Sequence, residues 1–95
     1  MNKPGIQLNE QELDELYEAL TKVETKEEAK EFLDDLLSQR ELKSLSGRIH
    51  SAKLFLEGKT YIEVNKETDI SSATLARVSK CVKTGKGYNR ILSKK

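Results

Sequence analysis

The sequence predicts an all-α protein of about six helices. Apolar residues recur at spacings of three and four along most of the chain, which is the period of a helix with one buried face. Residues that favour helix starts and helix ends recur between these apolar segments. No segment alternates apolar and polar residues for long enough to indicate a strand.

The first two predicted helices are acidic and amphipathic. Asn9 is expected to cap the first helix with Glu12 completing a capping box, and Thr25 and Glu28 repeat this pattern at the second. The apolar stripes of the two helices are Leu13, Leu16, Tyr17 and Leu20 in the first, and Ala29, Phe32, Leu33, Leu36 and Leu37 in the second. Residues 1–8, which hold the only proline, are expected to form a flexible N-terminal arm.

The third predicted helix is long and carries a heptad-like apolar seam. Ser38 and Glu41 form another capping box at its start, and Gly58 is expected to end it. The seam steps by three and four through Leu42, Leu45, Ile49, Ala52 and Leu56. Such a seam is typical of a helix that packs along another helix.

Two shorter helices joined by a tight turn follow. Thr60 and Glu63 predict the start of a fourth helix, and Ser71 predicts the cap of a fifth. The inward stripe of the fifth helix is Leu75, Val78 and Val82. A short helix, a turn of three or four residues and a second helix form a helix-turn-helix, expected here over residues 60–84. The alternative is an αα-hairpin that binds nothing.

The turn and helix-end residues around these helices follow the usual pattern less closely. The commonest helix-turn-helix has a turn glycine where this chain has Asp69, a residue that tolerates a left-handed conformation better than most. Asn65 stands where the first helix of the motif usually has a small residue. Gly85 and Gly87 are expected to end the fifth helix, and a last short helix is expected over residues 88–93.

The start of the fifth helix is the candidate DNA-reading surface. The residues expected to face base edges in the major groove are Ser72, Ala73, Thr74 and Ala76. The residues expected to hold phosphates are Ser71, Arg77, Lys80 and Lys83. Small and hydroxyl side chains allow a close approach to bases, and cations and helix N-termini bind phosphate.

The charge distribution also favours a polyanionic partner. Residues 1–37 carry a net charge of −7 and residues 38–95 a net charge of +8, although the whole chain carries only +1. Residues 77–95 hold seven Lys and Arg residues and no acidic residue. Such polarity predicts a polyanionic partner at the basic end. With the helix-turn-helix, the expected polyanion is double-stranded DNA. The alternative is two solvated surfaces that differ in sign.

Several classes of protein are not expected. The longest aliphatic or aromatic run is Leu54-Phe55-Leu56, far shorter than the roughly 20 residues that span a bilayer, so no membrane association is expected. Residues 1–5 lack the apolar segment of a signal peptide, so a cytoplasmic location is expected. His50 and Cys81, each the only residue of its type, cannot supply a zinc site. No phosphate loop or nucleophile elbow occurs, so the chain is not expected to be an enzyme.

The residues of the third to fifth helices resemble those of the Trp repressor. The matching residues are Leu42, Leu45, Arg48, Ile49, Leu56 and Gly58, followed by Ile70, Ser71, Ala73, Thr74, Leu75 and Arg77. The chain as a whole is similar to the YerC/YecD group of Trp repressor-related proteins, which shares the acidic first helices. The resemblance implies a single domain over residues 9–95 that forms an intertwined homodimer. Residues 9–57 and 88–93 would make the dimer, and each chain would offer one helix-turn-helix to a two-fold operator.

The resemblance also implies where an effector would bind. The repressor's tryptophan-binding positions correspond here to Ser38, Arg48, Arg77 and Cys81. Two of these are arginines, as in the repressor, whereas Cys81 stands at a serine position and Val78 stands where the repressor has glycine. We therefore expect tryptophan not to bind with useful affinity. The alternative is that tryptophan or another small-molecule co-repressor binds. We expect no other cofactor and no metal.

Together these observations predict a sequence-specific DNA-binding transcriptional repressor. The alternative function is a protein-interaction module that acts through its acidic N-terminal helices, with a vestigial helix-turn-helix.

Overall fold

The structure is a computed structural model that describes residues 5–94. Met1, Asn2, Lys3 and Pro4 of the expected arm, and Lys95 of the basic tail, lie outside the described residues. Within residues 5–94 there are six helices and no strand: α1 (Glu10–Thr21), α2 (Lys26–Leu36), α3 (Gln39–Leu56), α4 (Tyr61–Glu67), α5 (Ser72–Thr84) and α6 (Gly87–Leu92). The prediction of an all-α protein with about six helices is confirmed.

Local hydrogen bonds begin most of these helices where the sequence indicates. Both bonds of the capping box form at α3, between Ser38 and Glu41, and at α4, between Thr60 and Glu63. At α1 the Asn9 side chain accepts a hydrogen bond from the Glu12 backbone N–H, at 2.9 Å, but the expected capping box is incomplete because the Glu12 side chain accepts no bond from the Asn9 N–H.

The box expected at α2 forms only in part. The Thr25 hydroxyl oxygen accepts a hydrogen bond from the Glu28 N–H at 3.0 Å. The Glu28 carboxylate accepts its bond from the N–H of Glu24, one residue before the predicted partner Thr25. The cap of α2 therefore spans one residue more than a capping box.

The glycines near the helix ends act differently from one another. Gly58 has φ +95°, and the N–H groups of Gly58 and Lys59 donate to the carbonyls of Phe55 and Leu54. This is the Schellman arrangement, and it confirms that Gly58 ends α3. Gly85 follows the last residue of α5, as expected, but Gly87 is the first residue of α6. The prediction that Gly87 ends α5 is wrong, because the chain resumes a helix two residues after Gly85.

The described chain divides into two compact units at Leu36 and Leu37. The first unit contains α1 and α2, and neither helix has a buried residue. Leu16, Tyr17 and Leu20 of the predicted stripe remain between 37% and 57% exposed. The helices form as the sequence predicts, but their apolar stripes stay largely accessible in the single chain.

The second unit contains α3 to α6 and the core. Leu54, Val64 and Leu75 form the buried cluster, with Phe55 and Ile70 packed against it. Helix α3 contacts α4, α5 and α6, so it is the support of the helix-turn-helix. The apolar seam of α3 is only partly buried, since Ala52 is fully buried but Leu45, Ile49 and Leu56 are each more than a third exposed.

Candidate nucleic-acid interface

The helix-turn-helix consists of α4, a four-residue turn and α5. Val64 of α4 and Leu75 of α5 are fully buried, Val78 is 1% exposed, and Ile70 in the turn packs on the same cluster. A Cβ atom built on Gly47 of α3 would lie 2.6 Å from the Ile70 side chain. The turn therefore lies close against α3, and α5 is held by one edge with its opposite face open to solvent.

The cap of α5 is a pair of hydroxyl groups. The Ser71 oxygen accepts a hydrogen bond from the Thr74 N–H at 3.1 Å, and the Ser71 hydroxyl donates to the Thr74 hydroxyl oxygen at 2.9 Å. This confirms Ser71 as the cap. It also engages Thr74, which is half-buried at the side of α5.

Most of the residues singled out on α5 lie on its open face. Ser72, Ala73 and Ala76 are exposed, as are the four candidate phosphate ligands Ser71, Arg77, Lys80 and Lys83. Thr74 differs from the other three candidate base-reading residues, because it borders a cavity shared with α3. The open face therefore has small side chains from Ser72 to Ala76 and cations from Arg77 onward.

The turn does not use the backbone freedom that Asp69 offers. Among the described residues no residue other than glycine has a positive φ, so Asp69 is not left-handed. Its carboxylate instead pairs with the ammonium group of Lys43 on α3, at 3.1 Å. Both side chains are exposed, and an exposed pair contributes only about 0–1 kcal/mol.

A tyrosine that the sequence did not single out lies beside the open face of α5. Tyr61, the first residue of α4, donates a hydrogen bond from its hydroxyl to the Ser72 carbonyl at 3.3 Å, and its ring centroid is 6.3 Å from that of Phe55. Tyr61 also lines a shallow groove with Lys80 and Lys83. Its position depends on how α4 docks, which no local sequence signal indicates.

Two carboxylates of the helix caps have pKa values lowered below their ordinary range. Backbone hydrogen bonds from Ser38 and Thr60 to the side chains of Glu41 and Glu63 favour the ionised forms and so lower these pKa values. Both carboxylates lie at helix starts, which also favours negative charge. Their negative charge therefore stabilises the caps of α3 and α4.

The four candidate effector residues have different surroundings. The Ser38 hydroxyl oxygen accepts a hydrogen bond from the Glu41 N–H at the start of α3. Arg48 is half-buried, and its Nε atom is buried without a hydrogen-bond partner among the described residues. Cys81 lines an apolar cavity of about 400 Å³ with Ile49, Gly87, Tyr88, Ile91 and Leu92. Ser38, Arg48 and Arg77 do not line this cavity.

Residues 5–94 contain neither a candidate membrane span nor a candidate metal site. No helix in this part of the chain is long and apolar enough to cross a membrane. No group of three or more His, Cys, Asp or Glu side chains among these residues could hold a metal ion.

Comparison with known proteins identifies the family. The sequence profile of the Trp repressor protein family matches residues 11–95. The uncharacterized protein YerC of Bacillus subtilis (strain 168) is 37% identical over 78 residues, which cover 82% of this chain and 75% of YerC.

Two solved structures are also similar. The crystal structure of a Staphylococcus aureus protein assigned provisionally as a Trp repressor has a TM-score of 0.75 and 40% identity, over 84% of this chain and 81% of that one. A TrpR-like protein from Eubacterium eligens ATCC 27750 has a TM-score of 0.75 and 32% identity, over 86% of each chain. The chain therefore belongs to the Trp repressor family, a family of non-enzymatic regulators, and the expectation that it is not an enzyme is confirmed.

Proposed function

We propose that this protein is a sequence-specific DNA-binding repressor that acts as a homodimer on a two-fold operator. The observation that carries the proposal is the open face of α5. No acidic residue follows Asp69 in the sequence, so the whole of α5 and α6 is free of negative side chains. A helix with small side chains near its start and cationic side chains further along suits the major groove and its flanking phosphates.

The two parts of α5 would have different tasks. Ser72, Ala73 and Ala76 are exposed and short, so a base edge can approach the helix closely, and Thr74 would reach the bases from the side of the helix. Arg77, Lys80 and Lys83, together with Ser71 at the cap, would bind phosphates. Phosphate contacts fix the position of the protein on the duplex, and base contacts supply the specificity.

The accessible apolar residues support a homodimer. The stripe of α1 and the seam of α3 are incompletely covered in the single chain, and Ile91 of α6 is 60% exposed. Covering such surface yields roughly 25 cal/mol per Å² of apolar area removed from water. A second copy that packs against residues 9–57 and 88–93 would provide this cover. It would also place two copies of α5 on one duplex.

Selection of bound sequences from a random DNA pool tests the proposal. We expect enrichment of a two-fold symmetric sequence, and the same sequence with and without amino acids in the buffer. Absence of any enriched sequence, with retention of the chain on protein partners only, would contradict the proposal and favour the interaction module based on the acidic helices.

A further inference from the structure

A second cationic cluster lies beside the start of α5. It borders a cavity of about 270 Å³ between the first turns of α3 and the helix-turn-helix. The lining residues are Arg40, Lys43 and Ser44 from α3, and Asp69, Ile70, Ser71 and Thr74 from the turn and α5. Two positive side chains from α3 therefore adjoin two of the hydroxyl residues assigned to the DNA surface.

We propose that Arg40 and Lys43 are additional ligands for the phosphate backbone of DNA, which extend the DNA surface from α5 onto α3. This inference rests on the proposed function. It was not accessible from the sequence, because Arg40 and Lys43 are about 30 residues away from Ser71 and Thr74 along the chain. Only the docking of α3 against the turn brings these four residues to one cavity.

The charges of the cluster are available for an anion. Arg40 is exposed and forms no ion pair within residues 5–94. Lys43 pairs with Asp69, but its side chain is 74% exposed and that of Asp69 is 76% exposed. Such a pair is held weakly because water solvates both partners. A phosphate at the cavity can therefore replace Asp69 as the partner of Lys43.

The shape of the site favours the backbone of DNA as the occupant. Ser71 and Thr74 belong both to the cavity and to the start of the proposed recognition helix, so a strand that passes the cap of α5 would also pass Arg40 and Lys43. An arginine can bind two phosphate oxygens at once, and a lysine acts as a point charge. The neighbouring hydroxyl group of Ser44 can donate to a further phosphate oxygen.

Asp69 has the opposite role in this arrangement. It is the last acidic residue of the sequence, and it lies at the edge of the surface that would face the duplex. Its carboxylate repels phosphate and competes for Lys43. Removal of the Asp69 charge should therefore strengthen DNA binding, whereas removal of the Lys43 charge should weaken it.

Salt titrations of DNA binding test the proposal. The variants are Arg40→Gln, Lys43→Gln and Asp69→Asn, with Lys22→Gln in the acidic first unit as the charge-matched control. Removal of one phosphate ligand lowers the slope of log affinity against log salt by about 0.9, or by nearly two for a dimer in which both half-sites are affected. For such a dimer, the ratio of the affinity at 50 mM salt to the affinity at 200 mM salt is therefore about tenfold smaller in the variant than in the wild type.

We expect Arg40→Gln and Lys43→Gln to weaken binding to operator and to unrelated duplex alike, with the lower slope. Asp69→Asn should tighten binding to both, Lys22→Gln should match the wild type, and Lys43→Arg should restore the slope. Thermal unfolding of each variant checks that these exposed changes leave the fold intact.

Three results would overturn the inference. Wild-type slopes for Arg40→Gln and Lys43→Gln, alongside a reduced slope for Lys80→Gln, would overturn this inference and leave the proposed function standing. If Asp69→Asn weakened binding in parallel with Lys43→Gln, the ion pair would be structural and Lys43 would not bind phosphate. Failure of the wild type to bind any duplex would overturn the proposed function and this inference together.

Discussion

At the scale of single residues, the proposed function separates base reading from phosphate binding along α5. Ser72 is in the first turn, and Lys80 lies about two turns further on. Loss of a base contact typically costs about 1–3 kcal/mol of binding and depends on the base opposite. Loss of a phosphate contact weakens all sequences and lowers the salt slope.

We therefore predict opposite signatures for two substitutions on this helix. Ser72→Ala should relax discrimination at one position in each half-site of the operator and leave the salt slope nearly unchanged. Lys80→Ala should weaken specific and non-specific binding together and reduce the slope. Titrations on the operator and its point variants at several salt concentrations distinguish the two. Equal weakening of every sequence by Ser72→Ala would mean that the base-reading residues are misassigned.

The surroundings of Cys81 argue against the binding of tryptophan. Val78 is 1% exposed and belongs to the packed side of α5, and Cys81 borders an apolar cavity that neither Arg48 nor Arg77 lines. We predict that tryptophan does not bind with useful affinity and does not change DNA binding. Calorimetry is the direct check, and a micromolar dissociation constant would refute the prediction.

Residue by residue, the sequence predicted what depends on near neighbours. The boxes of Ser38 with Glu41 and of Thr60 with Glu63 formed because both partners lie in one helical turn. Thr74 was expected to point outward, but it is half-buried because α3 docks beside the start of α5. The pairing of Lys43 with Asp69 has the same non-local origin.

At the scale of helices, the end of α3 depends on one backbone conformation. Gly58 has φ +95°, where a side chain costs about 1–2 kcal/mol. Gly87 is a matched control, because its φ is not positive and a Cβ atom there would meet nothing within 4 Å.

We predict that Gly58→Ala lowers the free energy of unfolding by about 1–2 kcal/mol, whereas Gly87→Ala has no cost or a small gain. Denaturant unfolding of the two variants measures the difference. Equal effects of both substitutions would show that the positive φ of Gly58 does not matter for stability.

The order of the helices and most of their starts were predicted from the sequence, but their packing was not. The seam of α3 was identified by its spacing, yet only Ala52 of its five members is fully buried in the single chain. Periodicity identifies the apolar face of a helix, whereas the element that covers the face depends on tertiary or quaternary contacts. The same limit applies to α1 and α2.

At the scale of the whole molecule, stability should depend on association. The buried hydrophobic residues among residues 5–94 are Ala52, Leu54, Val64, Leu75 and Val78, a small core for a chain of 95 residues. We predict a dimer that unfolds and dissociates in one step, so that its melting temperature rises with protein concentration. A folded monomer at micromolar concentration in analytical ultracentrifugation would contradict this.

In the proposed function, two copies of α5 read one two-fold DNA site. The most direct measurement is sedimentation of the protein with the selected operator and with a duplex in which one half-site is scrambled. We expect two chains per operator, much weaker binding to the scrambled duplex, and half-sites about one helical turn apart or a multiple of it. One chain per duplex, or equal affinity for both duplexes, would contradict it.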